Sequence, residues 1–99
     1  MAQTIYKLWM FKYTPAWYHL TPDEQNQLSA KIGESLKQVG GELVMVRYSV
    51  WASEEWLAWG VEKYPSVEAA QQHALNLYEM KWFMYVESKS YLGVEMPQA

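Results

Sequence analysis

Between Ile5 and Tyr13 the side chains alternate, yet both alternating sets avoid water. Tyr6, Leu8 and Met10 fall on one side of an extended segment, and Ile5, Trp9, Phe11 and Tyr13, with Lys7 among them, fall on the other. This predicts a strand covered on both faces. The same two-residue period returns over residues 42 to 51, where Val44, Val46, Tyr48 and Val50 oppose Leu43, Met45, Arg47, Ser49 and Trp51. Residues 56 to 63 predict a third strand and residues 81 to 91 a fourth, followed by a short tail through Pro97. Two stretches change period. Leu28, Ile32, Leu36 and Val39 recur at helical spacing, as do Val67, Ala70, Ala74, Leu77 and Tyr78.

Local signals bound these elements. Thr21-Pro22-Asp23-Glu24 is a capping box with proline at the first helical position, Gly40-Gly41 ends that helix, and Ser66 after Pro65 caps the second. Thr14 to Leu20 reads as a connection whose Trp17 and Tyr18 fold back over the protein, and residues 52 to 55 as a hairpin connection. Ala58 and Gly60 leave space on one side of the third strand for another element, or mark a bulge. No linker, low-complexity tract or charge block divides the chain.

The resulting order is strand, helix, strand, strand, helix, strand. It predicts one α+β domain over residues 1 to 99, a ferredoxin-like βαββαβ fold with four antiparallel strands and both helices on one face. If Tyr6, Leu8 and Met10 lie under the helices, then Ile5, Trp9, Phe11 and Tyr13 face outward. Such an apolar patch exceeds what a soluble monomer usually exposes, so the pattern predicts a homodimer closed through the open sheet face.

Composition sharpens this picture. Six Trp, eight Tyr and two Phe make 16% of the 99 residues aromatic, and each such side chain buries roughly 150–250 Å² when packed. A net charge of −3 with eight scattered Lys and Arg argues against a nucleic-acid surface. The absence of cysteine removes disulfides, thiol catalysis and thiolate metal sites. No signal-peptide pattern or apolar run of about 20 residues is present, so a cytoplasmic protein without a membrane helix is the default expectation.

Few residues carry candidate chemistry. His19, beside Trp17 and Tyr18, is a candidate base or ligand at a cavity mouth, set against a plain exposed loop histidine. His73 sits on the flank of the second helix's stripe and reads as a boundary residue. Arg47, the single arginine, and Lys7 would project into an aromatic cavity with Trp9, Phe11, Tyr13, Trp17 and Trp51, an arrangement suited to an anionic aromatic ligand. The competing reading pairs these cations with Glu62 or Glu87. With one aspartate, Asp23, already beside a helix cap, there is no catalytic triad, phosphate loop or carboxylate metal cluster.

The βαββαβ order with an aromatic open face resembles the dimeric α/β-barrel superfamily, which includes cofactor-free antibiotic-biosynthesis monooxygenases, EthD-like proteins, haem-degrading monooxygenases and chlorite dismutases. Within it, Thr14-Pro15-Ala16-Trp17, Leu20, Glu24 and the run Lys81-Trp82-Phe83-Met84-Tyr85-Val86-Glu87 resemble darcynin-like and related small members. Together with the two-sided first strand, this predicts a homodimer that binds a small apolar or aromatic molecule between the sheets, by the loop around Trp17 to His19, with no cofactor. Haem-binding members use a histidine ligand, but no motif here singles one out. The alternatives it leaves are a cofactor-independent monooxygenase-like or isomerase-like enzyme, with His19 as base and Arg47 or Lys7 holding an oxyanion, and a purely structural or assembly protein.

Overall fold

The computed structural model describes residues 2–97. Strand β1 (Ile5–Tyr13) leads into a one-turn helix α1 (Pro15–Tyr18) and then α2 (Pro22–Gln38); β2 (Glu42–Tyr48), β3 (Ala58–Tyr64), α3 (Val67–Glu79) and β4 (Val86–Gly93) follow. A 3-10 turn over Trp82–Met84 precedes β4. The strands form one antiparallel sheet in the order β2-β3-β1-β4, the ferredoxin-like arrangement.

The helix boundaries follow from side-chain chemistry. Thr21 Oγ1 accepts the Glu24 amide at 3.1 Å while the Glu24 carboxylate accepts the Thr21 amide at 2.9 Å, so two otherwise unpaired donors at the start of α2 are satisfied. At its other end the Gly41 amide reaches Leu36 O at 2.9 Å and the Gly40 amide Lys37 O at 3.0 Å. That double closure requires Gly40 at φ 77°, which glycine adopts without a Cβ penalty. Ser66 Oγ caps α3 through the Ala69 amide at 3.1 Å.

The register fixes which side of β1 lies under the helices. Buried Ile5 packs with Tyr64 of β3 and Ala70 of α3, and Leu36 and Val39 close on the same cluster. The alternation therefore places Lys7, Trp9, Phe11 and Tyr13 beneath the helices, and Tyr6, Leu8, Met10 and Lys12 on the open face. This reverses the assignment expected from sequence. The physical reason is the size of the cross-strand neighbours: Trp9 stands between Gly60 and Ser90, and Phe11 between Ala58 and Ser88. The bulky set fits only where its partners are small.

Gly60 is the tightest of these fits. A Cβ there would fall inside the Trp9 indole, 2.8 Å from Cε2. Gly60→Ala is expected to destabilise the protein by about 1–3 kcal/mol, because the overpacking outweighs the ~0.4–1 kcal/mol that alanine contributes through the unfolded chain. A lowered midpoint in urea unfolding checks this, and an unchanged one would mean that Trp9 moves freely.

Three expected boundaries shift. The second strand ends at Tyr48, because Ser49 turns inward and donates to Trp56 O at 3.1 Å. The third begins at Ala58 rather than Trp56, so the hairpin connection is longer than expected. The expected fourth strand loses its first turn, since Lys81 adopts a left-handed conformation (φ 61°) and sends Trp82 to Met84 into the 3-10 turn.

Candidate functional site

An aromatic column runs along the helix side of β1 and organises one end of the molecule. Trp9 and Phe11 have ring centroids 5.6 Å apart, Phe11 and Tyr13 5.2 Å, and Tyr13 stacks on Trp17 at 4.4 Å with planes 4° apart. Trp82 meets Trp17 edge-on at 5.9 Å and lies 6.4 Å from Phe11. Trp17 reaches this position because Pro15 starts a helical turn straight after the strand, and Thr14 is tied to the 3-10 turn through its hydroxyl to Met84 O (2.6 Å) and its amide to Tyr85 O (2.9 Å).

Above the column, between sheet and helices, is a cavity of about 210 Å³. Trp9, Phe11 and Trp82 wall it on the sheet side, Ile32 and Leu77 on the helix side, and Ser88 and Ser90 at the β4 edge. Its ionisable lining is Lys7, Glu62 and His73. Lys7 and Ser90 also border an apolar groove of about 670 Å³ between α3 and β4, so they stand where the two spaces meet.

Glu62 and Lys7 are direct cross-strand partners, yet no Lys7 ion pair forms within 4.0 Å among the described residues. Glu62, 9% exposed, instead accepts the Tyr64 hydroxyl at 2.5 Å. Burial first, then the hydrogen bond and charge of Glu62, push the Tyr64 phenol far above its usual range and hold it protonated. Tyr13 is likewise raised, by burial and then by Tyr18.

His73 is 1% exposed, which corrects its expected place at a boundary. Its Nδ1 lies 2.8 Å from Ser35 Oγ, Asn76 donates to that oxygen at 3.0 Å, and Gln72 donates to Asn76 Oδ1 at 2.9 Å. Ser35 Oγ, with two lone pairs, can donate to Nδ1 or accept from it as well as from Asn76, so both neutral tautomers of the imidazole fit this network. Burial, and secondarily the Lys7 ammonium, lowers the His73 pKa to about 4, so the ring is neutral near pH 7.

The structure thus brings Lys7, Trp9 and Phe11 together at the cavity, with Tyr13 and Trp17 as the packed layer behind them. Three other candidates lie elsewhere. His19 is an exposed residue closing α1. Arg47 pairs with Trp59 across the open face and donates to Val46 O at 2.9 Å, and Trp51 is 83% exposed in the hairpin loop. Glu87 pairs with Lys12 at 3.2 Å and Glu42 with Lys63 at 3.4 Å, neither with Arg47 or Lys7. Trp82, Glu62 as a cavity carboxylate, and buried His73 went unread in the sequence. The usable signal for the last was Ser35 and Asn76 on helices that pack together. Among the described residues no three His, Asp or Glu side chains converge as metal ligands.

No family model and no curated protein matches the chain. Solved structures do match it over nearly its full length. A chlorite dismutase variant from Candidatus Nitrospira defluvii superposes with a TM-score of 0.77 at 11% identity over 99% of this chain, which spans only 42% of that one. A protein of unknown function from Rhodopseudomonas palustris gives 0.61 at 17% identity, covering 99% of this chain and 86% of the other. Hydroxynitrile lyase from Passiflora edulis gives 0.57 at 12% identity, covering 99% of this chain and all of the other. At these identities the likeness is one of fold. By fold, the chain is a ferredoxin-like α+β protein.

Proposed function

We propose that this protein binds one small, largely aromatic molecule in the cavity between its sheet and helices, and that it works as a homodimer closed through the open sheet face. The carrying observation is the cavity itself: about 210 Å³, walled by the aromatic residues Trp9, Phe11, Trp82 and Phe83 and edged by Lys7, Glu62 and His73. An apolar cavity of about 150 Å³ already accommodates benzene, so this space suits a single ring with a polar substituent. A haem macrocycle is larger than this space, and no role for haem is proposed. His19 and Arg47 lie apart from the cavity, which favours binding here over an enzyme built on those two residues.

Calorimetric titration with single-ring aromatics tests the binding. Ser88→Phe, which fills the cavity from the exposed β4 edge opposite Phe11, is expected to abolish uptake while the fold survives. Affinity unchanged in that variant would place the site elsewhere.

The homodimer rests on the open face, where Leu8 is 38% exposed, Met45 37% and Tyr91 54%, beside Met10, Trp59 and Val61. A second copy would bury this surface. Sedimentation is expected to give two copies at micromolar concentration and one for Leu8→Glu; a wild-type monomer would remove the claim.

A further inference from the structure

The polar groups at the cavity do not balance one another, and the imbalance describes a ligand. Glu62 is nine-tenths buried, and Tyr64 supplies a proton to only one of its two oxygens. His73 is more deeply buried still, and Ser35 engages its Nδ1, while Nε2, on the far side of the ring, makes no side-chain hydrogen bond among the described residues. Lys7 stands at the mouth of the cavity, opposite Glu62 but not bonded to it. Among the described residues the buried side-chain polar atom with no partner is Trp9 Nε1; the free Glu62 oxygen and His73 Nε2 are not cut off in this way and remain open to a ligand. The cavity therefore offers one strong acceptor, the second Glu62 oxygen, beside one donor, the Lys7 ammonium, with His73 Nε2 able to serve in either role.

A hydroxyl group answers both sides at once, because it donates one proton and accepts through its oxygen. Resting on the binding reading above, we infer that the ligand is a monocyclic phenol: its ring lies against Trp9, Phe11 and Trp82, its O–H donates to Glu62, and its oxygen accepts from Lys7. Other head groups match less well. An aromatic carboxylate sets a second negative charge beside Glu62, and a bare hydrocarbon leaves the Glu62 acceptor and the Lys7 donor unmatched in a site that has lost water.

The test is calorimetric titration of the protein at pH 7 with phenol, toluene and benzoate. Phenol is expected to bind about ten- to a hundredfold more tightly than toluene, the worth of a hydrogen bond to a charged acceptor, and more tightly than benzoate. In Glu62→Met the preference for phenol over toluene is expected to disappear. Should that variant fail to fold, the wild-type ratio still decides. Toluene or benzoate binding as tightly as phenol would overturn the hydroxyl assignment and leave the cavity as a site for aromatic molecules. Binding of none of the three would overturn both readings.

Discussion

Trp17→Ala is expected to lower stability by about 3–5 kcal/mol, the range for removing a large aromatic from a packed site. Trp17 is 7% exposed and holds three aromatic contacts: face to face with Tyr13, and edge-on to Trp82 at 5.9 Å and Tyr85 at 6.4 Å. Its removal therefore loosens β1, the turn before β4 and α1 together. Against a total of about 5–15 kcal/mol for a domain of this kind, that loss brings the protein close to unfolding at ambient temperature. Tyr18, one residue on but 68% exposed, is the control, with Tyr18→Ala expected to cost under about 1 kcal/mol. Urea unfolding of the two variants measures both. Equal losses would show that the column does not bind these elements together.

Acidification is expected to destabilise the protein through His73. The folded value of about 4 lies below the ordinary 6.5, so between these pH values the unfolded chain takes up a proton that the folded chain refuses. Stability from this source is fully present above pH 6.5 and is lost as the pH falls toward 4, by up to about 3 kcal/mol at 1.36 kcal/mol per pH unit. Carboxylates also titrate at the lower end of that window, so the contrast with His73→Asn isolates the histidine. Asn places an acceptor oxygen near Nδ1 but binds no proton, and its unfolding free energy is expected to fall less between pH 7 and pH 4. Parallel profiles for the two proteins would sink the assignment.

The elements themselves were legible in sequence because they rest on short-range chemistry. The capping box at Thr21, the glycine pair after Val39 and the first apolar stripe each act within a few residues and occur as read, whereas on α3 Ala70 and Leu77 are buried with His73 while Val67 and Tyr78 stay exposed. The side of β1 was not legible, since both of its alternating sets are apolar and local pattern gives no preference between them. What decides is the smallness of Gly60, Ala58, Ser88 and Ser90, and these become neighbours of Trp9 and Phe11 only once the pairing register is known. The turn at Trp82 was hidden for a related reason: four bulky residues in succession look like a strand until Lys81 takes a positive φ. Of the candidate site, Lys7, Trp9 and Phe11 were found through their shared strand. Glu62 was seen as an ion-pair partner rather than a cavity group. His73 was missed because its partner Ser35 lies on a different helix.

The pairing of β1 with β4 joins the two strands most distant in the chain, as in Trp9 with Ser90. Contacts of such long range are slow to form, because the intervening chain must first give up its freedom. Pairing of β1 with β3 spans a shorter stretch. A folding chain that has made only that pairing holds Lys7, Glu62 and the Trp9 ring over Gly60, but lacks the wall that Ser88 and Ser90 supply. The capacity to take up a ligand would then arise in the last stage of folding, and a ligand present during refolding would slow unfolding without hastening the steps before it.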